Sequence, residues 1–287
     1  MSTSVTPVLD PLDDATTIEG VVQNLDSIID WGIQAASPIG YFAVLYKRGT
    51  VAVEEAIAEG KFEHPEWVAQ FDVVFANRYF AALNAYFHPA GYDASKLTLP
   101  WEVAFNGARN ASATLLQHMI ASLNAHICYD LGVALVELSA NELSTIEHDF
   151  KLVNDLVSLQ TPRMLHIVQQ RSPGVRWIRR AIPREAWVIK RALIDFRKGA
   201  WMFAIGMATQ PATAYDLRVN KLAWTAGLGA WYLNPPKRLT PISLVVHSLL
   251  RSENHDVAGN LRALAGIADR PDKRSAVLSS MVSGSDS

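Results

Sequence analysis

Residues 111–138 are the longest apolar tract of the chain, and polar side chains interrupt this tract at several positions. The interrupting residues are Gln117, His118, Asn124, His126, Asp130 and Glu137. Since the sequence contains no convincing alternating, strand-like run, we predict that the tract is helical. A lipid bilayer would strongly disfavour so many polar groups, so the pattern indicates a buried helix of a globular protein, without membrane insertion.

The chain as a whole is predicted to be an all-α, single-domain bundle of about eight helices. Hydrophobic residues make up 49% of its 287 residues, which is enough for a sizeable core. Prolines and glycines separate segments with helical spacing. The longest helical tract is predicted over about 101–138, with Gly107 and Gly132 as the positions where it could bend. We expect the helical domain to cover residues 16–272, after a flexible acidic leader over 1–15 and before a disordered tail over 273–287.

Charge, cysteine content and motifs argue against several classes of protein. The formal net charge of −2 argues against a dedicated nucleic-acid binder. Cys128 is the only cysteine, and residues 1–14 lack the basic and apolar regions of a secretory signal, so we expect a cytoplasmic location. The sequence has no GxGxxG, Walker or GxSxG motif, which leaves nucleotide-binding and esterase functions without support.

The most informative residues are His126 and Asp130, which lie four positions apart within the apolar tract. On an α-helix this spacing places both on one face, with Cβ atoms about 6 Å apart. Such a pair can orient an imidazole, form a buried acid–base couple or share a metal ion. His118 lies eight residues earlier, about 12 Å along the helix axis. It is a further catalytic candidate, but it cannot easily join His126 on one metal ion.

Two charged residues of neighbouring helices are predicted to complete this site. Asp149 falls within an apolar stripe, and a buried carboxylate is costly unless it is paired, hydrogen-bonded or bound to a metal. Arg78 lies on the apolar face of its helix and is the cation that we expect to meet these carboxylates. A divalent metal ion on His126, Asp130 and Asp149 is one form of the predicted site, although no strong metal-binding motif is present.

Further polar and aromatic residues are predicted to contact a substrate. They are Tyr79, Trp101, Asn124, Arg191, Trp201 and His247. Tyr79 and Trp101 would shape a largely apolar pocket between helices. Arg191 and Trp201 share a helix face on which cations alternate with aromatic rings, and His247 lies in a predicted helix that could reach the same pocket. For all these residues the alternative is a structural role in the core.

Several motifs of the central part resemble those of an uncharacterised family of helical proteins found in bacteria and fungi. They are Phe75-Ala-Asn-Arg78-Tyr79, Trp101-Glu-Val-Ala-Phe105, Leu116-Gln-His118, Asn124-Ala-His126-Ile, Asp130-Leu-Gly132 and Asp149-Phe-x-x-Val-Asn154. The resemblance covers about residues 65–210 and implies a helical fold and importance of these positions, without an activity. Cys128 and Tyr129 stand where more polar residues are expected, which implies a more apolar pocket in this member.

These features lead to two hypotheses about function. The first is a small-molecule enzyme of lyase, isomerase, cyclase or hydrolase type, in specialised metabolism, with a largely apolar substrate. In this enzyme His126 acts as the acid–base group, oriented by Asp130. The second hypothesis is a non-catalytic binding or interaction protein in which the buried polar network only specifies the fold.

Overall fold

The computed structural model describes residues 7–110, 112–139, 142–172, 185–235 and 255–273, with the backbone only at 185–190 and 192. These residues form helices and no strand, which confirms the predicted all-α, multi-helix class. The α-helices among them are α1 (Ile18–Ala35), α2 (Gly40–Ala58), α3 (Pro65–Phe87), α4 (Leu99–Gly107), α5 (Leu115–Ala125), α6 (Leu131–Ser139), α7 (Glu147–Leu159), α8 (Thr161–Arg171), α9 (Glu185–Thr209), α10 (Ala214–Leu233) and α11 (Val257–Ala265).

Local sequence signals explain where several helices begin and end. The Thr17 hydroxyl accepts a hydrogen bond from the Gly20 N–H and caps α1. Thr114 and Gln117 form a capping box at the start of α5, in which each side chain accepts from the other residue's N–H. Gly60 follows α2 with a φ of 67°, a left-handed conformation that glycine adopts without strain.

A continuous helix, Leu115–Ser139, runs through the core and is here called the central helix. It consists of α5, a π-helical turn over His126–Asp130, and α6. The central helix is long and apolar enough to span a bilayer, but 83% of its most apolar stretch is buried inside the protein. A core helix of a folded domain meets the same criteria of length and composition.

The helical tract predicted over about 101–138 is interrupted after Gly107, one of the two glycines at which a bend was expected, because the chain turns between α4 and α5. Gly107 is the last residue of α4, and a Cβ at this position would lie 2.4 Å from Leu233 Cδ1. This close approach lets α4 pack against α10, and the central helix packs against both of them. Helices α2, α3 and α9 also contact the central helix, which therefore lies in the interior of the described structure.

The segment before α1 is not the flexible leader that its composition suggested, at least over residues 7–15. The Asn84 side chain accepts a hydrogen bond from the Leu12 N–H and donates one to the Leu12 carbonyl, at 2.9 and 2.8 Å. Asn77 makes the same pair of bonds with the backbone of Ala15. Leu12 and Ala15 are themselves buried in the core, so two side-chain amides of α3 fix this extended segment in place.

The opposite end of the described chain is anchored between the first two helices. Leu261 of α11 lies where Gly32 and Gly40 bring α1 and α2 close together, and a Cβ on either glycine would meet it at 3.2 Å. The fully buried Arg48 forms an ion pair with Asp272 at 2.9 Å and hydrogen bonds with two carbonyls that follow α11. These contacts tie residues 255–273 to the helical core.

Candidate functional site

A cavity of about 370 Å³ lies beside the central helix, within the size range of small-molecule pockets. Residues from α2, α3, the central helix, α7, α8 and α9 contribute most of its walls. Most of these side chains are aliphatic or aromatic, among them Phe42, Phe71, Met119, Phe150, Met164 and Phe196. An apolar molecule of modest size would therefore find favourable surroundings there.

Eight polar residues also line this cavity, and we call five of them the cavity polar set. They are Tyr46, Thr50, Asp72, His126 and Arg197. All five are buried, yet the Tyr46 hydroxyl, the Thr50 hydroxyl, Asp72 Oδ2 and both His126 ring nitrogens have no hydrogen-bond partner. Other unpartnered buried atoms of the described structure, such as those of Tyr79, Asn124 and Thr225, lie elsewhere in the core. Folded proteins leave few buried polar atoms unpaired, so a group of five such atoms around one cavity is typical of a ligand-binding site.

His126 is held in this wall by aromatic contacts rather than by a carboxylate. Its ring stacks on Phe75 with 3.6 Å between the ring centroids, and the Tyr46 ring lies 4.5 Å away. The distance from His126 Nδ1 to Asp130 Oδ2 is 3.9 Å, too long for a hydrogen bond. Burial lowers the pKa of His126 to about 4, so the imidazole is neutral at pH 7. The predicted hydrogen-bonded His126–Asp130 couple is therefore not formed.

Asp130 instead belongs to a buried ion-pair network behind His126. It accepts hydrogen bonds from Arg78 Nε at 3.1 Å and from Trp101 Nε1 at 2.6 Å. Burial would raise the pKa of this carboxyl, but the Arg78 charge and the His126 and Trp101 side chains together lower the pKa below its usual value. Arg78 meets Asp130 as predicted and also pairs with Glu137 at 3.0 Å. Neither Arg78 nor Asp130 lines the cavity.

Asp149 is not part of a site with His126. Its two carboxylate oxygens accept the N–H groups of Glu63 and His64 at 2.9 and 2.7 Å, just before α3 begins. The reason is that α7 packs on α2 and α9 rather than along the central helix. The predicted metal triad of His126, Asp130 and Asp149 is therefore not assembled, and the described residues contain no group of three such ligands close enough for a metal ion.

Tyr79 and Trp101 form the aromatic wall behind the network rather than the wall of the cavity. Their rings stack with centroids 4.8 Å apart, and both side chains are fully buried. Trp101 contributes to the ion-pair network by donating its Nε1–H to the Asp130 carboxylate. These two predicted substrate-binding residues are thus positioned to support the central helix, not to touch a ligand in the cavity.

His118 and Asn124 are also buried on the central helix but away from the cavity. Burial lowers the pKa of His118 to about 4, partly offset by a hydrogen bond with the Ala113 backbone. The Asn124 amide nitrogen donates to the Thr225 carbonyl of α10 at 2.8 Å. The hydrogen bonds of both residues are with neighbouring backbone, and Asn124 Oδ1 has no partner.

The remaining substrate-binding candidates do not meet at this site either. Arg191 is exposed and pairs with Asp195 at 3.1 Å, one helical turn away. Trp201 stacks on Phe150 with centroids 4.7 Å apart, next to the cavity but not among its lining residues. His247 lies outside the described residues.

Comparison with known proteins places the chain in a family. Residues 18–235 match the family model of DUF5995, a family of unknown function. The chain belongs to this family. The match confirms the resemblance to an uncharacterised family and extends beyond residues 65–210 in both directions. No curated protein and no solved structure matches the chain.

The region shared with DUF5995 contains every residue that lines the cavity, from Phe42 to Tyr232. In this DUF5995 member four of the five residues of the cavity polar set, all except His126, are not among the site residues predicted from the sequence. The sequence position of Asp72 could have indicated that it is buried, since it lies between Phe71 and Phe75 of an aromatic stripe. Arg197 lies one turn before Trp201 on a helix face that could have been read as core. Neither signal shows that the two residues meet at one cavity.

Proposed function

We propose that the protein is an enzyme that binds a largely apolar small molecule in the cavity and catalyses a proton-transfer reaction of lyase or isomerase type. Asp72 and His126 would be the groups that contact the reacting part of the substrate. The observation that supports this proposal is the convergence of unpartnered polar atoms of the cavity polar set inside an otherwise apolar enclosure.

Asp72 has the chemistry that proton transfer requires. Burial, together with the nearby charge of Glu54, raises the pKa of Asp72 to about 7, although the Thr50 hydroxyl next to the carboxyl lowers the pKa in part. A carboxyl with a pKa near the operating pH can both accept and donate a proton. Asp72 Oδ2 has no hydrogen-bond partner and lines the cavity, so it is available to a bound molecule. Asp72 thus takes the acid–base role that the sequence suggested for His126 and Asp130.

His126 would act on the same substrate as a neutral hydrogen-bonding group. One nitrogen of a neutral imidazole donates and the other accepts, so the ring can polarise a carbonyl or stabilise an enol-like intermediate. Its stacking on Phe75 fixes the plane of the ring. The unpartnered hydroxyl of Tyr46 offers a further hydrogen bond to an oxygen of the substrate.

The second candidate function is non-catalytic binding of the same kind of molecule. One observation favours it: no carboxylate orients His126, because Asp130 is engaged by Arg78 and Trp101. The two candidates share the cavity and differ only in whether the bound molecule is converted.

The first test is whether the cavity holds a small molecule. The protein is purified from cells, denatured and extracted, and the extract is analysed by mass spectrometry. We expect a largely apolar compound from the wild-type protein and much less from Ile120→Trp, which replaces a lining residue with a larger ring that occupies part of the cavity. Val219→Trp adds the same ring on the exposed side of α10 and should leave the compound in place. Equal recovery from both variants, or an empty wild-type extract, would contradict binding in the cavity.

The second test separates an enzyme from a carrier. Metabolite extracts are incubated with the wild-type protein, Asp72→Asn or His126→Gln, and the change in each metabolite is followed by mass spectrometry. An enzyme depletes at least one compound, and both variants should slow this depletion at least about a hundredfold. For Asp72 this is the usual contribution of an acid–base group, and for His126 that of a hydrogen-bonding group which stabilises developing charge. Wild-type protein that retains its ligand but converts no compound would show a carrier.

A further inference from the structure

Arg197 differs from the buried Arg48 and the partly buried Arg78 in having no acidic partner among the described residues. Arg48 forms an ion pair with Asp272, and Arg78 forms one with Asp130. Arg197 of α9 is 7% exposed, and its Nη1 donates to the Asn154 amide oxygen at 2.7 Å.

The described surroundings leave the charge of Arg197 without an opposite charge and some of its hydrogen-bond donors without an acceptor. A buried guanidinium without an opposite charge is strongly disfavoured, and a neutral amide satisfies only part of its hydrogen-bonding capacity. Burial lowers the pKa of Arg197 to about 10, so the side chain still carries its charge at neutral pH. The unpaired charge lines the cavity, where a ligand could supply the missing anion.

We propose that Arg197 binds a carboxylate of the cavity ligand, so that the substrate class is an apolar molecule with one carboxylate group. This inference rests on the proposed function, since it names the ligand of the same cavity. Among the described lining residues Arg197 is the only lysine or arginine, and a single guanidinium matches a monoanion. Its planar fork of donors fits a carboxylate with two parallel hydrogen bonds. Asn154 of α7 positions that fork by holding Nη1.

Binding of octanoate and octan-1-ol, measured by calorimetry, tests the assignment. The two probes share an eight-carbon chain and differ in the charge of the head group. We expect wild-type protein to bind octanoate more tightly, and Arg197→Met to weaken octanoate binding at least about tenfold without weakening octan-1-ol. Arg191→Met is the matched control, because it removes an exposed arginine of the same helix and should change neither affinity.

Unfolding of the ligand-free variants in urea separates a binding defect from a folding defect. Because Arg197 lacks an ion pair, Arg197→Met should be at least as stable as the wild-type protein. Equal wild-type affinities for octanoate and octan-1-ol, or equal weakening of both by Arg197→Met, would overturn the carboxylate assignment and leave binding in the cavity intact. Failure of both probes to bind, together with an empty wild-type extract, would overturn the proposed function as well.

Discussion

Two buried carboxylates of the described structure, Asp130 and Asp72, have different surroundings. Asp130 accepts hydrogen bonds from Arg78 and Trp101. Burial alone would raise the pKa of Asp130, but the interactions with its neighbours lower this pKa by more than burial raises it. Asp72 faces the cavity with one oxygen unpartnered, and burial raises its pKa. Such a separation of pKa values assigns different roles to chemically identical side chains. The ionised Asp130 stabilises the structure, and Asp72 is the carboxyl that can exchange a proton.

The raised pKa of Asp72 predicts that this residue makes stability depend on pH. The folded protein holds the proton up to about pH 7, whereas an unfolded chain releases it near pH 3.9. The free energy of unfolding should therefore fall by about 2–3 kcal/mol between pH 5 and pH 8 through this group alone. Asp72→Asn should remove that part of the dependence, as measured by urea unfolding at a series of pH values. The exposed Asp155→Asn is the control. An unchanged pH dependence in Asp72→Asn would contradict the assigned protonation.

At the level of elements, the π-helical turn over His126–Asp130 explains why the predicted pair is not formed. The Leu131 N–H donates to the His126 carbonyl, five residues earlier, so the helix is locally wider than an α-helix. His126 then lies in the cavity wall, and Asp130 turns to Arg78 and Trp101. A spacing argument that assumes 3.6 residues per turn does not apply across such a turn. Single π-helical turns are also frequent at functional sites.

The contact between the central helix and α9 depends on Gly132. A Cβ at this position would lie 2.6 Å from Phe203 Cδ1 and 2.9 Å from the Ala200 carbonyl oxygen. Gly132→Ala should therefore lower the free energy of unfolding by at least about 2 kcal/mol, because the two helices must separate. Gly227→Ala in α10 meets nothing within 4 Å and should be neutral or stabilising by about 0.5–1 kcal/mol. Chemical denaturation measures both, and equal stability of the two variants would contradict the close packing.

At the level of the whole molecule, segments far apart in sequence form the walls of the cavity. The two ends of the described chain pack on the first three helices. The cavity walls come from six parts of the chain between α2 and α9, joined by Tyr232 of α10. Residues 7–15 cover one side of α3 through its asparagine side chains, and α11 packs on α1 and α2. The α11 segment lies beyond the 18–235 region matched by the family model.

Asp272 should be important for anchoring this segment. It neutralises the fully buried Arg48 and is itself mostly shielded. Asp272→Ala would leave a buried charge without its partner, and we expect the free energy of unfolding to fall by about 3 kcal/mol. Asp269→Ala removes a mostly exposed partner of Lys47 and should cost less than about 1 kcal/mol. Urea unfolding of both variants decides this, and similar losses would show that Arg48 does not depend on Asp272.

The amino-acid sequence by itself determined the helical class, the buried central helix and the pairing of Arg78 with an acidic residue. These follow from local periodicity and from the high cost of burying unpaired charge, both of which can be read from neighbouring residues. Tertiary structure decided that Asp149 binds the backbone at Glu63 and His64 and that Asp72 and Arg197 share a cavity. These contacts depend on the angles at which the helices cross and on the π-helical turn. No local pattern in a single sequence specifies either of them.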